Sequence, residues 1–228
     1  MSNLFTLEET PSLEIIGLQP RFPVRRIYCV GRNYAAHARE MGADPEREPP
    51  FFFSKPASAL VANHGAVEYP SLTRELHYEV ELVVALGKPA SEIPPEDAAE
   101  CIYGYAVGID LTRRDLQAEA KKLSRPWDTA KGFDQSAPVS GIVPISDCGY
   151  LSKGEISLRV DGEQRQHGDL AQMIWSVEEV IAELSRYFRL YPGDLIFTGT
   201  PAGVGEVCRG EVLEGIIEGV GRLVTTIQ

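Results

Sequence analysis

Two glutamates, Glu79 and Glu81, stand two residues apart in the stretch LHYEVELVVALGK. The stretch alternates like a β-strand, in which residues i and i+2 project from the same face. The carboxylates are therefore side by side, about 7 Å apart at their Cα atoms by the strand rise. At an effective dielectric near 20 such a pair repels by about 2–3 kcal/mol, and burial adds to the cost. On the wet side of an edge strand the pair would simply be solvated. The core-like run Val83-Val84-Ala85-Leu86 that follows argues against that setting. Protonation of one group, an Arg or Lys partner, or a divalent cation would each relieve the repulsion.

Asp110, at the end of the strand-like YGYAVGID, adds a third carboxylate. Three carboxylates without a thiol or a histidine cluster suit a hard ion: Mg2+ first, Mn2+ close behind, zinc disfavoured. Three protein oxygens leave roughly half of an octahedron to water or substrate, the arrangement of a catalytic ion.

His37 and Glu40 lie three apart in NYAAHAREMG, on one side of an expected short helix. A carboxylate beside an imidazole fixes its tautomer and raises its basicity, which is how water is activated near neutral pH. Spacing alone equally describes an exposed helical pair, and favours that plainer reading. Arg114 and Gln117 share one face of the expected helix RRDLQAEAKKL, and Lys131 follows in KGFDQSAP. Beside an ion these would grip an anionic substrate; elsewhere they would be a solvated face. His77 shares the strand face of Glu79 and reads as an outer neighbour of the ion or a core residue. His64 and His167 show no comparable partner. TGTPAGVG lacks the lysine of a G-x-x-x-x-G-K-[ST] phosphate loop and has no helix behind it. It reads as a tight turn offering backbone N–H groups and Thr200 to a carboxylate.

The elements that must position these residues are short. RIYCVG reads as a strand ending in glycine, and NYAAHAREMG as a helix capped by Asn33 and stopped at Gly42. PPEDAAECI is a helix opened by prolines. ISLRVDGEQRQHG carries an Asp161-Gly162 turn, the strongest hairpin cue in the chain. SVEEVIAELSRYF is the best amphipathic helix, with Ser176 as its cap. Residues 1–24 read as a short extended segment or hairpin, and 25–228 as a single domain. Helices are few and do not alternate regularly with strands, so a mixed α+β fold, mainly β, is expected rather than a doubly wound sheet.

The chain has 228 residues, enough to bury a full core, and 22 basic against 33 acidic residues give a net charge of −11. Nucleic acid and anionic membrane surfaces repel such a chain, so neither is an expected partner. Four cysteines without a C-x-x-C pair fit reduced thiols in a cytoplasmic protein. The N-terminus has the form of neither a signal peptide nor an anchor, and no apolar run approaches ~18 residues.

Six stretches, YCVGRNYAAHAREMG, FFFSKPASAL, LHYEVELVVALGK, YAVGIDLTRRDLQ, RPWDTAKGFDQSAPVS and GDLIFTGTPAGVG, occur in one order between residues 25 and 205. Together they resemble the fumarylacetoacetate hydrolase superfamily, in its small acylpyruvate hydrolase branch. FPVRRIYCVGRNYAAHAREMG and EPPFFFSKPA are similar to the bacterial fumarylpyruvate hydrolases of that branch. The resemblance implies irregular mixed sheets in a β-roll or β-clip arrangement, assembled as a homodimer. It implies Mg2+ or Mn2+ held by Glu79, Glu81 and Asp110, and water activated by His37 with Glu40. Arg114, Gln117 and Thr200 are the implied substrate grips, and Lys131 the implied active-site lysine.

The reaction so implied is hydrolysis of the C–C bond of an acylpyruvate, a 2,4-dioxo acid, with 3-fumarylpyruvate cleaved to fumarate and pyruvate. In it His37 deprotonates the water that attacks C4, and Lys131 steadies the oxyanion. Two rivals stay open. Oxaloacetate decarboxylation or keto–enol tautomerisation would use the same site without a hydrolytic water. A non-catalytic binder of small dicarboxylates would keep the ion and the grips, but the His37/Glu40 pair argues against it.

Overall fold

VELVVAL forms the strand Val80–Leu86, buried at every position. Its aliphatic and β-branched residues face both ways, so the strand needs cover on both sides. Val80, Leu82, Val84 and Leu86 enter one core, and Val83 and Ala85 enter a second. The computed structural model describes residues 10–40 and 48–228.

This strand is central in an eight-stranded sheet. The hydrogen-bonded order is Phe51–Lys55, Arg26–Gly31, Asp194–Phe197, Val80–Leu86, Ile102–Ile109, Ala137–Val139 and Leu60–Ala62, with Val143–Pro144 paired to Ile102–Ile109. Val80–Leu86 runs antiparallel to both neighbours, whereas Arg26–Gly31 runs parallel to Asp194–Phe197. A five-stranded sheet packs over one face, contributing Ile156, Leu158, Leu213 and Leu223 to the larger core. The other face is covered by a hairpin of Ser12–Glu14 and Arg21–Pro23, which adds Leu13 and Phe22 to the second core. The fold is mainly β with curled mixed sheets.

Six short α-helices occur among the described residues: α1 (Ala35–Glu40), α2 (Pro95–Ala98), α3 (Arg114–Lys122), α4 (Asp128–Lys131), α5 (Ile145–Cys148) and α6 (Val177–Tyr187). α6 lays Val177, Val180, Ile181 and Leu184 into the larger core. Ser176 caps it as the sequence predicts: its hydroxyl accepts the Glu179 N–H, while the Glu179 carboxylate accepts the Ser176 N–H at 2.9 Å. The Asp161-Gly162 turn also forms as expected, with φ of 49° and 84° between Glu155–Val160 and Glu163–Asp169. Positive φ at both central residues matches the right-handed twist of the strands.

One expectation is corrected. Asn33 does not cap α1. Its side-chain N–H groups donate to Trp175 O and Thr198 O, both at 2.9 Å, and its Oδ1 accepts the Trp175 N–H at 2.8 Å. Three distant backbone groups in a buried pocket outcompete the local helix end. The expected stop at Gly42 lies outside the described residues.

The feature that matters most for the site is a change of sheet. Leu76–Tyr78 belongs to a small three-stranded sheet with Thr112–Arg113 and Gly205–Glu206. The chain then crosses into the large sheet at Val80, leaving Glu79 at the junction. Asp110, just past the neighbouring strand, donates its backbone N–H to Glu79 O at 2.8 Å and ties the two carboxylate positions together.

Candidate active site

Glu79, Glu81 and Asp110 are all buried, and one carboxylate oxygen from each lies within 4.8 Å of the others. Cations answer two of the three. Lys131 Nζ bridges Glu79 Oε2 at 2.8 Å and Asp110 Oδ2 at 2.7 Å. Arg114 Nη2 meets Glu79 Oε1 at 2.5 Å, and Lys55 Nζ meets Asp110 Oδ1 at 2.8 Å. Glu81 has no basic partner among the described residues; its Oε2 accepts the Gly199 N–H at 2.7 Å. Gly199 has φ +98°, and a Cβ there would lie 2.7 Å from Asn33 Cβ, so the close approach of this backbone to Glu81 needs glycine.

The charges follow from this geometry. Burial pushes the Glu81 carboxyl well above its usual value, and the neighbouring Asp110 and Glu79 add to the rise. Burial would raise Glu79 too, but Lys131 and Arg114 outweigh it and hold that carboxyl far below the ordinary range. Burial works against the Lys131 ammonium, yet Asp110 and Glu79 prevail and raise it. A buried, uncompensated carboxylate beside two others is what a hard dication would neutralise, and the all-oxygen donor set fits Mg2+ or Mn2+.

His37 is carried by α1, with its Nδ1 3.3 Å from Glu40 Oε2. Glu40 is itself fixed by the Gly203 N–H, which donates to both of its oxygens at 3.1 and 3.2 Å. Burial lowers the His37 pKa, with Glu79 and Glu40 opposing. The ring is therefore neutral near pH 7, and with Nδ1–H turned to Glu40 its Nε2 carries the basic lone pair. On α3, Arg114 Nη1 donates to Gln117 Oε1 at 2.7 Å, and Arg114 Nε reaches His77 Nδ1 at 3.4 Å. That contact and burial, burial first, push His77 down to about 4, so it stays neutral behind the arginine.

A single cleft is lined by His37, Glu79, Glu81, Arg114, Gln117, Lys131 and Thr200. Asp110 stands behind Lys131, and Glu40 behind His37. All nine residues singled out in the sequence thus converge. Several others were not foreseen. Lys55 ends the aromatic strand FFFSK, and that terminal charge was the only hint. Gln166, on the hairpin strand Glu163–Asp169, is fully buried. Its Oε1 accepts the Val80 N–H at 2.9 Å while its amide N–H groups donate to Thr200 Oγ1 and Pro201 O, each at 2.9 Å. The Thr200 oxygen being an acceptor there, its own proton is left for the cleft. Arg32, Phe51, Phe53, Lys121 and Trp127 also line the cleft.

Curled mixed sheets holding a carboxylate cage for a hard ion beside a His–Glu pair define a metal-dependent enzyme site. The match of residues 26–228 to the family described as "Fumarylacetoacetate (FAA) hydrolase C-terminal" agrees with that class, and the chain belongs to this family. Fumarylpyruvate hydrolase from a Ralstonia species is 44% identical over 184 residues, 81% of this chain and 95% of that protein. The crystal structure of fumarylpyruvate hydrolase from Pseudomonas aeruginosa, in complex with Mn2+ and pyruvate, superposes with a TM-score of 0.97 at 55% identity, covering 99% of each chain. An oxaloacetate tautomerase of Escherichia coli is 41% identical over 199 residues, 87% of this chain and 90% of that protein.

Proposed function

We propose that this protein hydrolyses the C–C bond of acylpyruvates, with 3-fumarylpyruvate cleaved to fumarate and pyruvate. The carrying observation is the meeting, in one cleft, of the Glu79–Glu81–Asp110 cage and the neutral His37 held by Glu40. The Ralstonia and Pseudomonas relatives bear the corresponding name. Glu79, Glu81 and Asp110 would hold Mg2+ or Mn2+, which supplies polarisation of the 2-oxo acid end and tolerance of negative charge there.

The chain's own residues do the rest. His37 Nε2 takes a proton from water, and the hydroxide adds to the C4 carbonyl carbon. Lys131 has three N–H donors, two of them committed to Glu79 and Asp110, and the third serves the developing oxyanion. Breaking of the C3–C4 bond releases fumarate, and the bonding pair leaves on the pyruvate fragment as its enolate, which takes a proton at C3. Arg114, Gln117 and the Thr200 hydroxyl hold the substrate's oxygens through the sequence. The catalytic unit spans 25–228, in keeping with the family match over 26–228.

A second reading, oxaloacetate tautomerisation or decarboxylation, is favoured by the Escherichia coli relative. Steady-state turnover of 3-fumarylpyruvate, acetylpyruvate and oxaloacetate on one Mn2+-loaded preparation decides between them. Faster turnover of the dioxo acids, abolished by His37→Ala, is the expected result; turnover of oxaloacetate alone would overturn it. The resemblance also supports a homodimer in the cytoplasm serving breakdown of aromatic compounds, and light scattering of the purified protein tests the oligomer. No helix among the described residues is long and apolar enough to cross a membrane.

A further inference from the structure

Two cations in the cleft take no part in the chemistry above. Arg32 follows the strand Arg26–Gly31, and Lys121 lies in the last turn of α3. Both line the same cleft as the carboxylate cage, and both are half-buried. Neither has a carboxylate partner among the described residues, although the chain carries 33 acidic side chains against 22 basic ones. Arg25 and Arg26 show the contrast, since both are paired with Asp194.

What Arg32 and Lys121 do have is aromatic company. The Arg32 guanidinium lies 5.7 Å from the Phe51 ring centroid, and Lys121 Nζ lies 5.2 Å from that of Trp127. The two rings meet edge to face at 5.3 Å and 85°, so one aromatic corner carries a cation at each side. Arg32 is also held at φ +59°, a conformation that non-glycine residues adopt at a cost and that concentrates at binding sites. Lys121 is pushed down to about 8 by burial and by the charges of Arg114 and Arg32. Glu79 opposes this only in part, and crowded cations without an ion-pair partner of their own carry an electrostatic cost that a bound anion removes.

We propose that Arg32 and Lys121 bind a second carboxylate, at the acyl end of the substrate, with Phe51 and Trp127 walling the flat chain between the two acid groups. The inference rests on the acylpyruvate reading and narrows it to dianionic dioxo acids bearing a terminal carboxylate on the acyl arm. 3-Fumarylpyruvate has that group and acetylpyruvate has a methyl in its place. Arg32 and Lys121 are specificity residues: they act on the arm that does not react.

The test compares wild type, Arg32→Asn, Lys121→Gln and Lys121→Arg, all Mn2+-loaded. Asn accepts positive φ, and Gln keeps helix propensity, so both variants should fold; melting curves check this. The ratio of kcat/KM for 3-fumarylpyruvate over acetylpyruvate is expected to fall about 10- to 100-fold in each neutral variant, the worth of a charge-assisted hydrogen bond, and mainly through KM. Lys121→Arg should recover most of the ratio. Competitive inhibition by fumarate should weaken about tenfold while that by pyruvate does not. An unchanged ratio, or equal losses on both substrates, overturns the assignment. If wild type cleaves neither dioxo acid, the hydrolase reading fails on its own. Calorimetric titration with fumarate then decides the grip, which is refuted if Arg32→Asn binds fumarate as wild type does.

Discussion

Neutralising Glu81 should make the protein more stable without metal and less responsive to it. In Glu81→Gln one carboxylate of the buried cage becomes an amide, whose oxygen can still accept the Gly199 N–H. The oxygens of the three acids lie within 4.8 Å of one another, so each like-charge contact costs about 3.5 kcal/mol at an effective dielectric of 20. Glu81 faces two such contacts and has no ion-pair partner of its own, while Lys131 offsets part of the repulsion. A net gain of roughly 2 kcal/mol is expected for the metal-free variant, or about 4–8 °C in Tm for a domain of this size.

The pH dependence gives a second handle. In the unfolded chain Glu81 ionises near its usual 4.5, whereas burial, Asp110 and Glu79 keep it protonated to higher pH in the fold. Above that usual value the folded state binds the extra proton, so wild-type stability falls as pH rises toward the raised folded pKa. The variant lacks this loss, and its advantage should be larger at about pH 7 than at about pH 5. With Mn2+ at about one hundred times its Kd, wild type should gain about 2.7 kcal/mol and the variant much less. Scanning calorimetry in chelator and in Mn2+ should therefore show the melting order reversing. A variant that melts below wild type in chelator, or one that Mn2+ stabilises equally, refutes the account of the cage.

Other outcomes follow from the same structure. Since burial lowers the His37 pKa below the usual 6.5, kcat/KM should hold as pH drops past 6.5 and fall only through the lowered value; a limb at or above 6.5 in the pH–rate profile contradicts this. His37→Ala should cost about 10²- to 10⁴-fold in kcat while leaving Mn2+ binding by calorimetry intact. Lys55→Met removes one of the two cations on Asp110, Lys131 being the other, together with the donor to the Leu111 carbonyl, so denaturant titration should show a loss of about 2–4 kcal/mol. Ser176→Ala removes half of the α6 capping box and should cost about 1 kcal/mol, read as a small Tm drop with activity unchanged.

Elements governed by their own residues could be read from the sequence. VELVVAL announces a doubly covered strand, Asp161-Gly162 announces its turn, and Ser176 with Glu179 announces the start of α6. The cage itself was readable because its spacing is local in Glu79–Glu81 and its third member ends a recognisable strand. Asn33 reads as a local helix cap because its partners, Trp175 and Thr198, lie more than a hundred residues away. Gln166 and Lys55 leave no local sign for the same reason: a polar residue in a strand reads as exposed until the fold places Thr200 or Asp110 against it. The sheet change at Glu79 left no mark either, since HYEVE continues its alternation across the junction.

The ion cage and the outer wall of the cleft are anchored very differently. Glu81 lies within the central strand Val80–Leu86, and Glu79 and Asp110 directly adjoin the ends of that strand and its neighbour, where any backbone shift would disturb both cores. Phe51 sits on an edge strand, Arg32 past a strand end, Lys121 in the last turn of a helix and Trp127 in a loop. Mutations can therefore rewrite which acyl arm is admitted while the reactive end is left alone. A scaffold divided in this way can vary the arm that it admits at little cost to its cores.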